Sequence, residues 1–267
     1  MKALYILITS LLLFVIACGK KDAPAELPDP RITAPLNRDS INQVYAQRIQ
    51  ARTNALPLRQ IVEPGRLRPV DEGPTDTVFF VYREAMLEAI AQRNEFRLLE
   101  MLDSKIQTRP PADSRSLAIF VTHWQLDKQK DSAALWTILQ HLLQAGGIFS
   151  ADRLLFIAPY YCATFPDTYD ANVFGAIIGE GVRVRAAPDA NAQILKTVSY
   201  DVVQILETSE QQSTIGGETW PWRKIRLSDG KEGYVFGKFI GTPQDYRATF
   251  QRQPNGSWLM TALVNKE

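Results

Sequence analysis

WRKIRLSDGKEGYV, residues 222–235, decides the fold. Two short runs rich in β-branched and aromatic residues flank Ser228, Asp229, Gly230 and Lys231. An Asp-Gly pair between such runs is a strong local signal for a β-hairpin, because both residues tolerate a positive φ. Upstream, GVRVRAAP at 181–188 alternates Val182 and Val184 with Arg183 and Arg185. That period of two belongs to a half-buried strand, with the valines inward and the arginines outward. ILKTV, DVVQILE and EGYVFGKFIG add further short β-branched runs broken by turn residues. Five short strands within about 65 residues predict a small barrel.

Moving toward the N-terminus, the period changes to that of a helix. Phe79, Tyr82, Met86, Leu87 and Ile90 form one stripe, and Leu117, Phe120, Val121 and Trp124 another. Leu135, Trp136, Ile138, Leu139, Leu142 and Leu143 follow the i, i+3, i+4, i+7 spacing of an amphipathic helix. Asn94 is a good N-cap for EFRLLEML, Asp131 or Ser132 can cap the Leu-rich helix, and Gly146 can end it. Four helices with short loops are expected between about 77 and 146. LLFIAPYYCATFP, at 154–166, carries Pro159 and Pro166, which forbid a long helix, so an extended connector is expected there.

Residues 18–75 read as a Pro-rich, disordered tether holding half of the chain's 16 prolines. Such composition buries too little apolar surface to offset the entropy of ordering. A flexible tether of this length spans about 40 Å. One short helix over about 41–54 is expected inside it. Ser40 and Gln43 form a capping box, and Ile41, Val44, Tyr45 and Ile49 share a face. Before the tether, Lys2 is followed by an apolar run from Ala3 to Ala17, too short to span a bilayer comfortably but the length of a signal-peptide core. Val15, Ile16, Ala17 and Cys18 resemble the bacterial lipobox. That resemblance implies a lipoprotein signal peptide at 1–17 and acylation of Cys18. Gly19 rather than Asp then implies the outer membrane, facing the periplasm. Several acyl chains on one residue anchor a protein firmly.

GVRVRAAPDANAQIL, SYDVVQIL, WRKIRLSDGKEGYV and GKFIG together resemble bacterial SH3 (SH3b) domains over about residues 178–242. Val182, Val184, Arg185 and Pro188 match the first part of that pattern. Trp222, Lys224, Ile225, Asp229, Gly230, Gly233, Tyr234 and Val235 match the second. Tyr234 stands where the family usually has Trp, and the loop at 209–220 is longer than the pattern requires. PVDEGPTDTVFFVYREAMLEAI, LWTILQHLL, FIAPYYCATFP and DYRATFQRQPNGSWLMTAL are similar to a broader group of bacterial SH3 domain-containing proteins. In that group a helical segment precedes the barrel and a final hairpin follows it. QTRPPADSRS replaces that group's Gly-rich segment near 107–116. The expected fold is therefore α+β: signal peptide 1–17, tether 18–75, small helical domain 76–172, SH3-like barrel 173–242 and C-terminal hairpin 243–267.

The net charge of +1 gives no electrostatic case for nucleic acid, and two cysteines and two histidines leave no basis for a zinc or iron–sulfur site. No Walker loop, HExxH or GxSxG is present, and no cofactor is implied. Cys162 follows both His123 and His141, the reverse of the order in papain-like hydrolases, and reads as a free thiol. Glu84 and Glu88 read as a solvated helix face, and Asp167 and Asp170 as turn residues. No catalytic set is therefore expected. The binding candidates are the rings of Tyr200, Trp220, Trp222 and Tyr234, which suit stacking on sugars or extended peptides, with Arg183 and Arg185 facing carboxylates. These features predict a membrane-anchored periplasmic binding module for peptidoglycan, its stem peptides or an envelope protein. The alternative is a structural subunit of an envelope assembly that meets its partners through the helical domain.

Overall fold

The computed structural model describes residues 29–52, 55–109, 115–129, 131 and 133–265. The leader, Cys18, the start of the expected tether, Ser132 and most of QTRPPADSRS's centre lie outside the described residues.

The described part of the expected tether is docked, not free. It contains α1 (Pro30–Thr33), α2 (Arg38–Gln50) and a two-stranded hairpin of β1 (Val62–Glu63) and β2 (Arg66–Leu67). The Arg31 guanidinium donates to the carbonyls of Glu100 at 3.0 Å and Leu102 at 2.8 Å. Asn255 and Ser257 in turn donate to the Arg31 carbonyl. Tyr45 packs edge-on against Phe80 at 5.2 Å, and Arg48 pairs with Glu88 at 3.1 Å. Polar groups do most of this docking, and α2 buries no residue fully, so composition alone reads the stretch as a tether. The helix begins one turn before the expected capping box. Asn37, not Ser40, supplies the cap, accepting from the Ser40 amide at 3.1 Å.

From 57 onward the chain is anchored by charge. Asp71 and Arg83 are 2% and 3% exposed and form a bidentate pair at 2.6 and 2.8 Å. Arg52 adds a third contact to the same carboxylate at 2.9 Å. Burying such a pair is tolerable only with its lone pairs occupied, and the Gly73 amide occupies another.

The next elements are α3 (Thr77–Ala91), α4 (Glu95–Glu100), β3 (Leu102–Gln107), α5 (Leu117–His123), α6 (Leu126–Gln129), α7 (Ala134–Gln144), β4 (Ile148–Phe149), β5 (Leu155–Ala158) and α8 (Tyr160–Ala163). Asp76, Asn94 and Ser116 accept capping bonds at the starts of α3, α4 and α5. α7 has no side-chain cap; its N-cap position is Ala133. Its buried face of Leu135, Leu139, Leu142 and Leu143 holds it instead. The stretch expected as an extended connector is β5 followed, through a cis Ala158–Pro159 bond, by α8.

The barrel region supplies β6 (Phe174–Ile177), β7 (Val182–Arg185), β8 (Ile194–Val198), β9 (Val202–Ile215), β10 (Glu218–Arg226), β11 (Glu232–Phe236) and β12 (Ile240–Gly241). These make one antiparallel sheet ordered β12-β6-β9-β10-β11-β7-β8. The chain then closes with β13 (Arg247–Arg252) and β14 (Trp258–Val264).

That final hairpin is the main departure from the sequence reading. It does not merely pack on its neighbours; it occupies the middle of a second sheet ordered β3-β14-β13-β5-β4, with β14 parallel to β3. The expected helical domain is thus a mixed unit completed from the far end of the chain. The reason is geometric. The stripes of α3 and α7 need an apolar surface to cover, and an isolated hairpin is marginal in water. Phe79 meets Phe156 at 4.2 Å, Trp258 at 5.1 Å and Phe250 at 5.5 Å, so one helical ring binds strands from three places in the sequence. The α+β class read from the sequence holds.

Candidate binding site

The barrel interior is built by the expected alternation. Val182, Val184, Val203, Ile225 and Val235 are buried in one cluster. Gly233 lies where β11 crosses β7 closely. A Cβ there would sit 2.6 Å from a Val184 methyl and 2.8 Å from the Arg185 carbonyl. The SDGK turn joins β10 to β11, with Arg226 opposite Glu232 and Gly230 at φ +84°.

The long loop expected at 209–220 is instead a β-ribbon. β9 and β10 stay paired out to Ile215 opposite Glu218, joined by Gly216 and Gly217 at φ +63° and +82°. A two-residue turn with both φ values positive matches the right-handed twist of the strands, and glycine meets that demand at least cost.

The six candidate residues do not form one face. Arg185, Tyr234, Lys224 and Glu207 are consecutive cross-strand partners in one row, so Arg185 and Tyr234 do come together. Arg185 is already engaged, donating to the Ala192 carbonyl at 2.7 Å. Arg183 is exposed beside Thr197. Trp222 is 1% exposed, packs on Phe236 at 5.7 Å and donates to Ser213. It is a support, not a stacking platform: its partner Phe236 and the ribbon cover it. Trp220 lies tilted beside His141 of α7, ring centroids 6.0 Å apart, and donates to Glu218. Lys238 and His141 also meet Glu218, and the Lys238 bond above all holds that carboxyl below its ordinary range. His141 therefore faces the ribbon across the junction of the two sheets. Tyr200 turns a corner at φ +63° beneath the Arg68 guanidinium.

A groove of about 500 Å³ opens elsewhere, where three regions meet. The β1–β2 turn and the start of β2 supply Pro64, Gly65 and Arg66; the segment leading into β6 and its first residue supply Tyr169 and Phe174. The barrel supplies Asp201, Val202, Gln204, Arg226, Leu227 and Ser228. The β2 segment is stitched to the barrel edge by backbone bonds, Leu67 N–H to Tyr200 at 2.7 Å and Val202 N–H to Gly65 at 2.9 Å. Tyr169 and Phe174 are 5.2 Å apart and half-buried, with Phe165 behind them. Arg226 spans Gln204 and Glu232, and Arg66 contacts Glu63 through one nitrogen. Their side chains remain 44% and 41% exposed, so both can still reach a ligand. The arginines hold their carboxylate partners below the ordinary range, Arg226 chiefly for Glu232 and Arg68 chiefly for Glu63.

This barrel geometry has a known counterpart. Residues 180–241 match the bacterial SH3 domain family. The SH3 domain covers less than a quarter of the chain. No curated protein and no solved structure matches the chain. The groove lies only partly on the SH3 domain: Pro64, Gly65, Arg66, Tyr169 and Phe174 all come from outside it.

The remaining sequence candidates fall as follows. Cys162 lies within α8, its thiol 3.4 Å from the Thr242 carbonyl. Glu88 pairs with Arg48, and Asp170 accepts from the Asn172 amide at 2.9 Å, as a turn residue does. Among the described residues no group of three or more His, Cys, Asp or Glu is placed to hold a metal ion, and no helix is long and apolar enough to cross a membrane. The groove residues were missed by sequence reasoning. Tyr169 and Phe174 left one trace: two rings in DTYDANVF that belong to no periodic stripe.

Proposed function

We propose that this chain is a non-enzymatic binding module of the bacterial cell envelope. In this reading Cys18 carries the lipid anchor, the protein faces the periplasm from the outer membrane, and the SH3 domain engages peptidoglycan through its stem peptides. The observation that carries it is the match of 180–241 to the bacterial SH3 domain family, whose members are commonly binding modules. The lipobox-like Val15–Cys18 supports the anchor.

The test is co-sedimentation of the full chain, in detergent, with purified sacculi. Pelleting that soluble muropeptides compete away is the expected result. Recovery of the whole sample in the supernatant overturns the cell-wall reading. Labelling with a radioactive fatty acid, lost in Cys18→Ala, tests the anchor separately.

A further inference from the structure

We infer that the outer edge of the β1–β2 hairpin, from Leu58 to Val62, docks on an anionic lipid bilayer. This rests on the Cys18 anchor in the reading above, which brings the chain to a membrane but does not select the face that meets it.

Val62 is 87% exposed, more than any other large apolar residue described, and Ile61 and Leu58 are 51% and 47% exposed. Single exposed aliphatics are ordinary on a protein surface; here three fall within five positions. Ile61 and Val62 are neighbours in an extended stretch, so their side chains point to opposite faces. Both are open, so at this edge the hairpin stands clear of the body on both faces. β1 pairs with β2 alone, and its other edge has no strand partner among the described residues.

The charges select the partner. Between 58 and 68 stand Arg59, Arg66 and Arg68, against Glu63 as that stretch's one carboxylate. Arg66 and Arg68 both pair with Glu63. Asp201 faces Arg66 across the strand pair, which leaves Arg59 as the unmatched charge. Arg59 is exposed and has no hydrogen bond or ion pair among the described residues. It sits between Leu58 and Ile61, beside the exposed aliphatics. An anionic leaflet attracts a basic residue within a Debye length, and the aliphatic side chains leave water for the boundary between headgroups and acyl chains.

A bilayer suits this edge better than a folded partner. A rigid partner surface covers one face of a projecting hairpin, whereas a fluid interface covers both. The length of chain between anchor and body agrees. With α1 and α2 docked on the body, ten residues, 19–28, separate Cys18 from Asp29. Such a stretch reaches about 35 Å when fully extended, so an acylated chain keeps its folded body beside the bilayer.

The test is hydrogen exchange, read by mass spectrometry, on the full chain reconstituted into vesicles. One set is phosphatidylcholine alone; the other is phosphatidylcholine and phosphatidylglycerol in equal parts. The amides of 58–61 donate no backbone bond among the described residues, so they report the surroundings rather than the hairpin's own pairing. They are expected to exchange several-fold more slowly in the anionic vesicles, and molar salt to remove the difference. The amides of β5 are expected not to respond. Ile61→Ser with Val62→Ser, and separately Arg59→Gln, are expected to lose the protection at unchanged melting temperature, since all three side chains are exposed. Equal exchange in the two kinds of vesicle overturns the proposal, and so does protection that survives either variant. Protection that rises with protein density whatever the lipid charge also overturns it, and assigns the edge to a second copy of the chain. The fatty-acid label separates this proposal from the reading above. A labelled chain whose hairpin amides ignore lipid charge keeps the anchor and loses the docking surface. An unlabelled chain whose hairpin is protected by anionic vesicles keeps the docking surface and loses the anchor.

Discussion

Trp222 donates its indole N–H to the Ser213 hydroxyl at 2.9 Å, from the body of β10 to the outgoing strand of its own ribbon. The register shifts between Pro221 and Arg223 make this possible, because β9 passes four residues there while β10 passes two. The bulge lets the ribbon lie over the Trp222 ring, which a regular ladder would leave open to solvent.

Trp222→Ala is therefore expected to act on stability first. Removing a fully buried aromatic ring costs about 3–5 kcal/mol. Urea unfolding should show a matching fall in midpoint. Any loss of binding should be recovered wherever the variant is still folded. Trp222→Phe keeps most of the ring and loses one hydrogen bond, worth about 1 kcal/mol. If Trp222→Ala left the unfolding midpoint unchanged while abolishing binding, Trp222 would be a contact residue after all.

Arg83→Met tests the anchor at 71–83. It leaves the Asp71 carboxylate buried with Arg52 as its one remaining charged partner among the described residues. Breaking one side of a buried pair costs about 3–5 kcal/mol. Denaturant unfolding of Arg83→Met, Asp71→Leu and the double variant measures this. The double variant should be less destabilised than the sum of the two single ones. Strict additivity would mean that the pair is not coupled in solution.

The mixed sheet predicts the exchange behaviour of the C-terminus. A hairpin resting on the surface would exchange its amides early. A hairpin paired on one side to β5 and on the other to β3 should be protected as strongly as β5 itself. Native-state hydrogen exchange on the full chain reads this directly. Fast exchange across 247–264 with slow exchange at 155–158 would contradict the sheet order. The same topology means that a chain ending at Thr242 loses two central strands, so its loss of binding would say little about the SH3 domain.

The barrel was legible in the sequence because its signals are local. Val182 and Val184 alternate within one strand, Asp229-Gly230 marks one turn, and neither depends on a distant partner. The second sheet depends on distant partners throughout. β3 reads LDSKIQ, with only Leu102 and Ile106 buried, and its neighbour β14 lies some 150 residues away in sequence. Periodicity gives no information about pairings of that length. The docking of 29–50 was illegible for a different reason: it rests on Arg31 reaching two carbonyls, and any arginine could do so. The groove was illegible because its walls come from four chain segments. Arg66 and Arg226 gain a common role only when β2 is laid beside Asp201. Of the binding candidates, Trp222 alone is fully buried, and burial under a bulged ribbon is not visible in the letters; Trp220 stays half-buried.

Asp245 gives the last prediction. Its carboxylate accepts from the Thr242 amide at 2.9 Å and the Thr242 hydroxyl at 2.8 Å. Burial beside the closing segment still raises its pKa above the ordinary 3.8, against the pull of those bonds and of Arg223. The folded chain therefore keeps this proton at pH values where the unfolded chain has lost it. Stability then falls as pH rises from the ordinary carboxylate range through the raised value. Glu232, Glu63 and Asp229 run the other way, since their partners lower their pKa values and their contribution is lost on acidification. Their side chains are about a third or more open to solvent, so screening keeps that contribution small. Asp245→Asn has no proton to lose. The stability of the wild type relative to this variant is expected to fall as pH rises from the ordinary carboxylate range, as Asp245 gives up the proton that burial holds on it. Guanidinium unfolding of both proteins at several pH values across this window supplies the comparison. A difference between them that does not change with pH would show that Asp245 titrates normally in the folded chain.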